Sequence, residues 1–136
     1  MLIGGIAVAF QPSINARLAQ RVGILESACI SFSVGALFLF FLTFCCGRGN
    51  FKGIFQASWW ELSGGLCGVT FVSLTILIVP RIGTAAALAA VIAAQLTTGL
   101  LLDQFGLFGF AATPMTLKRI AGACLLFIGA FLIFKR

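Results

Sequence analysis

The sequence predicts an all-α polytopic membrane protein, a single domain of five transmembrane helices. Of its 136 residues, 61% are hydrophobic and only 9% are charged, whereas a soluble domain carries about 25% charged residues. The few charged residues separate long apolar runs, and three of these runs hold 19 to 21 consecutive uncharged residues. About 20 helical residues cross the hydrocarbon core of a bilayer, so each run is long enough to form one transmembrane helix.

The ends of the chain are less regular than its middle. Polar residues between Gln11 and Asn15 interrupt the first apolar run, and the last run, Ile120 to Phe134, has only 15 residues. Basic residues flank that last run and can extend their charged ends towards water, which makes up the missing length. The five predicted spans are therefore residues 2–20, 27–46, 62–80, 84–103 and 118–135.

The segment between the fourth and fifth spans is too short to cross the membrane. Residues 104–117 contain Gly106, Gly109 and Pro114, which interrupt a helix. The segment is therefore predicted to be an interfacial or re-entrant connection. The other connections are also short, so consecutive helices are expected to be antiparallel neighbours in one bundle.

The composition disfavours several classes of function. The chain has no His and no Tyr, and its only acids are Glu26, Glu61 and Asp103, so the usual groups for metal sites, catalytic dyads and triads are missing. Its five cysteines form no C-x-x-C pair and lie in or beside apolar runs, where Cys packs as a small hydrophobic residue. The bases lie singly or in pairs, unlike the clustered bases of nucleic-acid-binding proteins. We predict no enzymatic activity, no metal or other cofactor, and no nucleic-acid partner.

The basic residues are almost evenly divided between the two sides of the membrane. With five spans, one side holds four bases and the other five: Arg48, Lys52, Lys118 and Arg119 against Arg17, Arg21, Arg81, Lys135 and Arg136. Orientation follows an excess of Lys and Arg on the cytoplasmic side, so this chain is predicted to insert both ways up. Two opposite copies would form an antiparallel ten-helix dimer, the inverted-repeat arrangement of many transporters. The alternative is one orientation, set by finer details or by a partner chain.

Polar residues near the middle of the first span indicate a binding site. Pro12 lacks an N–H donor and clashes with the carbonyl of Val8, so the helix is expected to kink or open there. Gln11 and Asn15 are four residues apart and share one helix face. A helix break beside two carboxamides at membrane depth is typical of transporter substrate sites, although membrane helices also carry Pro and carboxamides for packing alone.

The fourth span carries Gln95 just past its midpoint, among alanines that allow neighbouring helices to approach closely. A carboxamide facing lipid is unfavourable, so Gln95 is expected to point inward, either to bind substrate or to hydrogen-bond another helix. We predict a substrate site of Gln11, Asn15 and Gln95. Secondary candidates are Arg17, Ser31, Thr98 and Asp103. All three acids fall at predicted span ends, so proton exchange through a central carboxylate is not supported.

Short polar and glycine motifs are spread along nearly the whole chain: Gln11-Pro12 with Asn15, Arg17-Leu18, Ser31-Phe32 with Gly35, Trp60 with Gly64-Gly65 and Gly68, Pro80 with Gly83, Gln95-Leu96, Asp103-Gln104-Phe105-Gly106, and Arg119 with Gly122. In order and spacing this set resembles the YdcZ-like family of small bacterial inner-membrane proteins, within the drug/metabolite transporter superfamily. Ala94 departs from the family pattern, in which Gly precedes Gln95, and makes the fourth span more regular there. The resemblance implies a five-helix unit, half of a ten-helix transporter, that pairs with an opposite copy or a paralogous partner.

The sequence thus predicts a dual-topology transporter of a small organic solute in the bacterial inner membrane, working as an antiparallel homodimer. By likeness to the wider superfamily, transport would proceed by alternating access. The expected partners are the solute, the lipid bilayer and a second copy of the chain. Two alternatives stay open: an antiparallel dimeric channel, and a membrane subunit that needs an oppositely oriented partner chain.

Overall fold

A computed structural model of the protein describes residues 1–109 and 111–134. In this part of the chain there is no β-strand, and the predicted all-α class is confirmed. The same residues form five α-helices, which are α1 (Leu2–Val22), α2 (Ile24–Cys46), α3 (Gly64–Ile82), α4 (Thr84–Phe105) and α5 (Leu117–Phe134). Three short 3-10 helices lie in the connections, Phe51–Gln56, Glu61–Ser63 and Leu107–Gly109. Lys135, which ends the fifth predicted span, and Arg136 lie outside the described residues.

Four helices in the described part of the chain are long and apolar enough to cross a membrane. They lie at or within a few residues of four predicted spans and are Ile24–Cys46, Glu61–Ile82, Thr84–Phe105 and Leu117–Phe134. α1 has 21 residues, about 32 Å at a rise of 1.5 Å per residue, but its second half carries polar side chains. A membrane crossing by α1, and with it the count of five spans, stays a prediction.

Two helix boundaries are tighter than the sequence predicts. α1 and α2 are separated by Gly23 alone, and α3 and α4 by Gly83 alone. Gly23 has φ 106° and ψ 162°, and Gly83 has φ 86° and ψ 157°, a backbone region that is essentially restricted to Gly. Because one such residue ends a helix and begins the next, α1 and α2 extend beyond the predicted spans 2–20 and 27–46 to Leu2–Val22 and Ile24–Cys46. The bounds of the membrane spans themselves stay predictions.

The expected opening of the first helix at Pro12 is not observed. α1 runs without interruption from Leu2 to Val22, with Pro12 inside it. A proline removes one backbone donor, and the turns on either side of it keep their helical conformation here. Pro12 is also buried, so protein covers the weakened turn. α1 is therefore continuous through Pro12, while a kink at this residue stays a prediction.

The chain divides into an N-terminal unit, Met1–Arg81, and a C-terminal unit, Ile82–Arg136. In the N-terminal unit α1 packs against α2, and a small core forms where Ala28 of α2 meets Val72 and Ile76 of α3. In the C-terminal unit α4 packs against α5. The single five-helix domain expected from the sequence stays a prediction.

Candidate functional site

A groove between α4 and α5 gathers polar side chains of the C-terminal unit. Its volume of about 400 Å³ falls in the range of small-molecule sites. Gln95, Gly99 and Asp103 are spaced by four residues, so they share the face of α4 that lines the groove. The complete lining is Gln95, Leu96, Gly99, Leu100 and Asp103 of α4 with Arg119, Gly122, Ala123 and Leu126 of α5.

An ion pair lies at one end of this groove, where α4 ends and α5 begins. Arg119 Nη2 donates a hydrogen bond of 3.0 Å to Asp103 Oδ2. Arg119 Nη1 is buried and has no hydrogen-bond partner among the described residues. The guanidinium therefore holds the carboxylate through one nitrogen only, although its planar fork suits two parallel bonds. A donor left unpaired and shielded from water costs about 1–3 kcal/mol, so an acceptor at Nη1 would be stabilising.

The connection that follows α4 is fixed to the end of that helix by hydrogen bonds. The Asp103 carbonyl accepts from the backbone N–H of Gly106 at 3.3 Å and of Thr113 at 2.8 Å. The Gln104 side-chain oxygen accepts from the backbone N–H of Met115. These bonds fold the connection back towards α4 and bring the first turn of α5 within reach of the Asp103 carboxylate. Whether the segment is interfacial or re-entrant stays a prediction.

The predicted residues of α4 lie on its exposed surface. Gln95 is the twelfth of the 22 residues of α4, close to its middle, and it is exposed within the groove. Thr98 is exposed as well but does not line the groove. The expectation that Gln95 points inward is therefore not met by the single chain and would require a second chain or a bound polar solute.

The predicted residues of α1 lie in the N-terminal unit. Asn15 is buried, with 5% of its surface exposed, and Gln11 is half-buried. Ser27 Oγ of α2 donates a hydrogen bond of 2.8 Å to the backbone carbonyl of Asn15. The side-chain Nδ2 of Asn15 is buried without a partner among the described residues. Asn15 thus joins α1 to α2 in this conformation, and its contact with substrate stays a prediction. Of the secondary candidates, Arg17 is exposed and Ser31 is half-buried.

A second cavity, of about 430 Å³, lies between α2 and α3 in the N-terminal unit. Its walls carry no charged side chain and are formed by Leu25, Ala28, Cys29, Phe32, Ser33, Ala36, Val69 and Ser73. Ser73 Oγ is buried without a partner among the described residues. Two hydroxyls and a thiol offer little to orient a polar solute, so the α4–α5 groove is the stronger candidate site.

Arg119 is the charged groove residue that the predicted site lacks. The sequence analysis names it among the flanking bases and, with Gly122, among the family motifs, but gives it no role in binding. The signal was present in the charge pattern. Asp103 lies near the end of one span and Arg119 near the start of the next, and opposite charges at the facing ends of antiparallel neighbours can pair. Within the described residues no three His, Cys, Asp or Glu side chains are placed to hold a metal ion.

Comparison with known proteins identifies similar sequences. The sequence profile of a family described as "Putative inner membrane exporter, YdcZ" matches residues 1–132. The inner membrane protein YdcZ of Escherichia coli strain K12 is 32% identical over 139 aligned residues, which cover 100% of this chain and 93% of that protein. No solved structure matches the chain. With several apolar helices long enough to span a bilayer, the chain is a multi-pass protein of the bacterial inner membrane.

Proposed function

Because this chain belongs to the YdcZ family of inner membrane transport proteins, we propose that it exports a small organic solute as a dual-topology, antiparallel homodimer. The observation that carries the proposal is the exposure of Gln95 at the middle of α4. An unsatisfied polar group in the bilayer core raises the free energy by on the order of several kcal/mol, and this applies to a carboxamide without hydrogen-bond partners. Polar groups of a solute or of a second chain would supply the missing partners.

The charge distribution supports the antiparallel pairing. Four bases on one side against five on the other leave no clear excess to select one orientation. In an antiparallel pair, the Asp103–Arg119 ends of the two grooves would face opposite surfaces of the membrane. A solute would then meet one polar site at each surface, with a Gln95 carboxamide about 12 Å further along each α4. Such inverted symmetry suits alternating access.

Labelling of single cysteines tests the orientation directly. The native cysteines Cys29, Cys45, Cys46, Cys67 and Cys124 are all free and exposed, so they are first replaced. Reporters are then placed at Gly49→Cys, where a side chain meets open space, and at Phe134→Cys near the end of α5. Intact cells are labelled with a membrane-impermeant maleimide, with and without prior blocking from outside. We expect each reporter to label from both sides in comparable amounts.

A matched control shifts the charge balance without touching the helices. A variant with both Ala57→Lys and Ser58→Lys has two additional bases in the connection after α2. In this variant the Gly49→Cys reporter should label from one side only. One-sided labelling of the chain without these lysines contradicts dual insertion. That result favours a subunit that needs an oppositely oriented partner.

A further inference from the structure

The α4–α5 groove also indicates the chemical class of its solute. We propose that the groove binds a small organic carboxylate, with the carboxylate on Arg119 and an apolar body along the leucines of the groove wall. The inference rests on the proposed function, because it names the class of solute for the same groove. It is supported by the unpaired donor of Arg119, the local charge, and the space between the two helices.

Arg119 carries the polar part of the argument. Its Nη2 pairs with Asp103 Oδ2, and its Nη1 is buried without a partner among the described residues. A guanidinium binds carboxylates through two parallel N–H···O bonds, and Asp103 uses one of its terminal nitrogens only. Because Nη1 is buried, a solute carboxylate reaches it only when the guanidinium turns away from Asp103, which frees both terminal nitrogens for a two-bond contact. The attraction between the positive guanidinium and a negative carboxylate adds to the hydrogen bonds themselves, so a carboxylate is preferred over a neutral acceptor.

The local charge favours an anion. The charged residues in the described part of the C-terminal unit are Asp103, Lys118 and Arg119, which sum to one positive charge. Asp103 is neutralised by Arg119, while the neighbouring Lys118 is exposed. A solute carboxylate at the groove end thus meets net attraction, although it lies near the Asp103 carboxylate.

The space between the helices fits an apolar body. Leu96, Leu100 and Leu126 line the groove. A Cβ added at Gly99 or Gly122 would meet no atom within 4 Å, so both glycines leave open space beside these leucines. Gln95 lies eight residues before Asp103, about 12 Å along α4, and offers a hydrogen-bonding group at the far end. The groove therefore presents a cationic end, an apolar middle and a carboxamide, in that order.

Asp103 acts as a competitor for the same guanidinium in this arrangement. Its carboxylate holds Arg119 Nη2, so a solute that forms a two-bond contact must displace it. Removing the Asp103 charge should therefore strengthen solute binding. A purely structural ion pair predicts the opposite, because its loss would loosen the end of α4 and the start of α5.

The experiment measures binding of radiolabelled hexanoate to the full chain in phosphatidylcholine nanodiscs. Arg119→Gln should raise the Kd roughly 10- to 100-fold, as expected for loss of a charged hydrogen bond, and Asp103→Asn should lower it severalfold. Gly122→Leu should abolish binding by filling the groove while all charges stay. Lys118→Gln is the matched control for charge. It removes the exposed positive charge that leaves the unit at +1, but Lys118 does not line the groove and water screens its charge, so the Kd should rise by only about twofold. Arg119→Lys keeps the charge and should give an intermediate Kd, which covers the case in which Arg119→Gln does not fold.

Several outcomes would overturn the inference. It is contradicted if hexanoate does not bind, or if Arg119→Gln and Arg119→Lys leave the Kd unchanged. It is also contradicted if Asp103→Asn binds hexanoate more weakly than the unaltered chain. If the chain retains phosphatidylglycerol and does not bind hexanoate, Arg119 binds a lipid headgroup instead, and this result also overturns the inference. The proposed function is tested separately, because the cysteine labelling involves no solute. Two-sided labelling without hexanoate binding would contradict the solute class alone.

Discussion

The N-terminal and C-terminal units bury different kinds of side chain. The N-terminal unit encloses branched residues, with Val72 and Ile76 at 4% and 2% exposure, and polar ones, which are Asn15, Ser27 and Thr75. Among the described residues of the C-terminal unit, the buried side chains are all alanines, Ala86, Ala87 and Ala93. Its polar side chains Gln95, Asp103 and Arg119 remain at least partly exposed along one groove.

This difference matters because the chain lies in a bilayer. Lipid tails are as apolar as leucine, so an exposed leucine has little significance, whereas an exposed carboxamide or charge requires a partner. In the N-terminal unit the buried hydroxyls of Ser27 and Thr75 donate to the backbone carbonyls of Asn15 and Val72. Asn15 Nδ2 and Ser73 Oγ are also buried there, without a partner among the described residues. In the C-terminal unit Asp103 and Arg119 pair with each other, and together with Gln95 they remain at least partly exposed along the groove. The N-terminal unit is thus suited to packing and the C-terminal unit to binding.

The largest expected effect is on the packing of the N-terminal unit. Ile76→Ala should lower the free energy of unfolding by about 2 kcal/mol, near the lower end for buried Ile→Ala changes, because lipid removes the transfer term and leaves the loss of packing. Ile128→Ala in α5, where the side chain is 56% exposed, is the matched control and should be nearly neutral. Denaturant titration in mixed micelles measures both. Equal losses would contradict the contrast between the units.

A smaller effect should distinguish the groove from the lipid-facing surface of the same helix. In a chain without native cysteines, Gln95→Cys should react with a water-soluble thiol reagent roughly tenfold faster than Ile92→Cys, because the reactive thiolate forms only where water reaches the site. Ile92 is 51% exposed and does not line the groove, so exposure alone would predict similar rates. Reaction rates are read by mass shift in liposomes, and similar rates would show that the groove is dry.

The smallest expected effect is on the contact between α1 and α2. Ser27→Ala removes the buried hydrogen bond to the Asn15 carbonyl and should lower the unfolding free energy by about 1 kcal/mol. Ser33→Ala in the same helix is the control, because Ser33 is exposed. The same denaturant titration detects the difference. An unchanged stability in Ser27→Ala would mean that this bond does not hold α1 to α2.

The membrane-spanning helices were predictable because a charge is costly in the bilayer core, so charged residues mark the ends of spans. The end of α1 and the start of α2 were harder to predict. Arg21 and Glu26 suggested a longer connection, but both lie in terminal turns, where side chains can reach water. Gly23 alone makes the turn because of its backbone conformation. The opening expected at Pro12 is not observed for a related reason, since the effect of a proline depends on what packs around it and Pro12 is buried.

Hydropathy and charge spacing are local properties of the chain, so they were sufficient to predict membrane helices and the polar residues Gln11, Asn15 and Gln95 within them. Pairings between distant residues follow from packing, which no local pattern encodes. Asp103 and Arg119 meet across 16 residues because the connection after α4 folds back on the helix end. Asn15 is covered because α2 returns along α1 and brings Ser27 to its carbonyl. The burial of Asn15 and the position of Arg119 in the groove therefore came from the folded chain, while the contact of Asn15 with substrate stays a prediction.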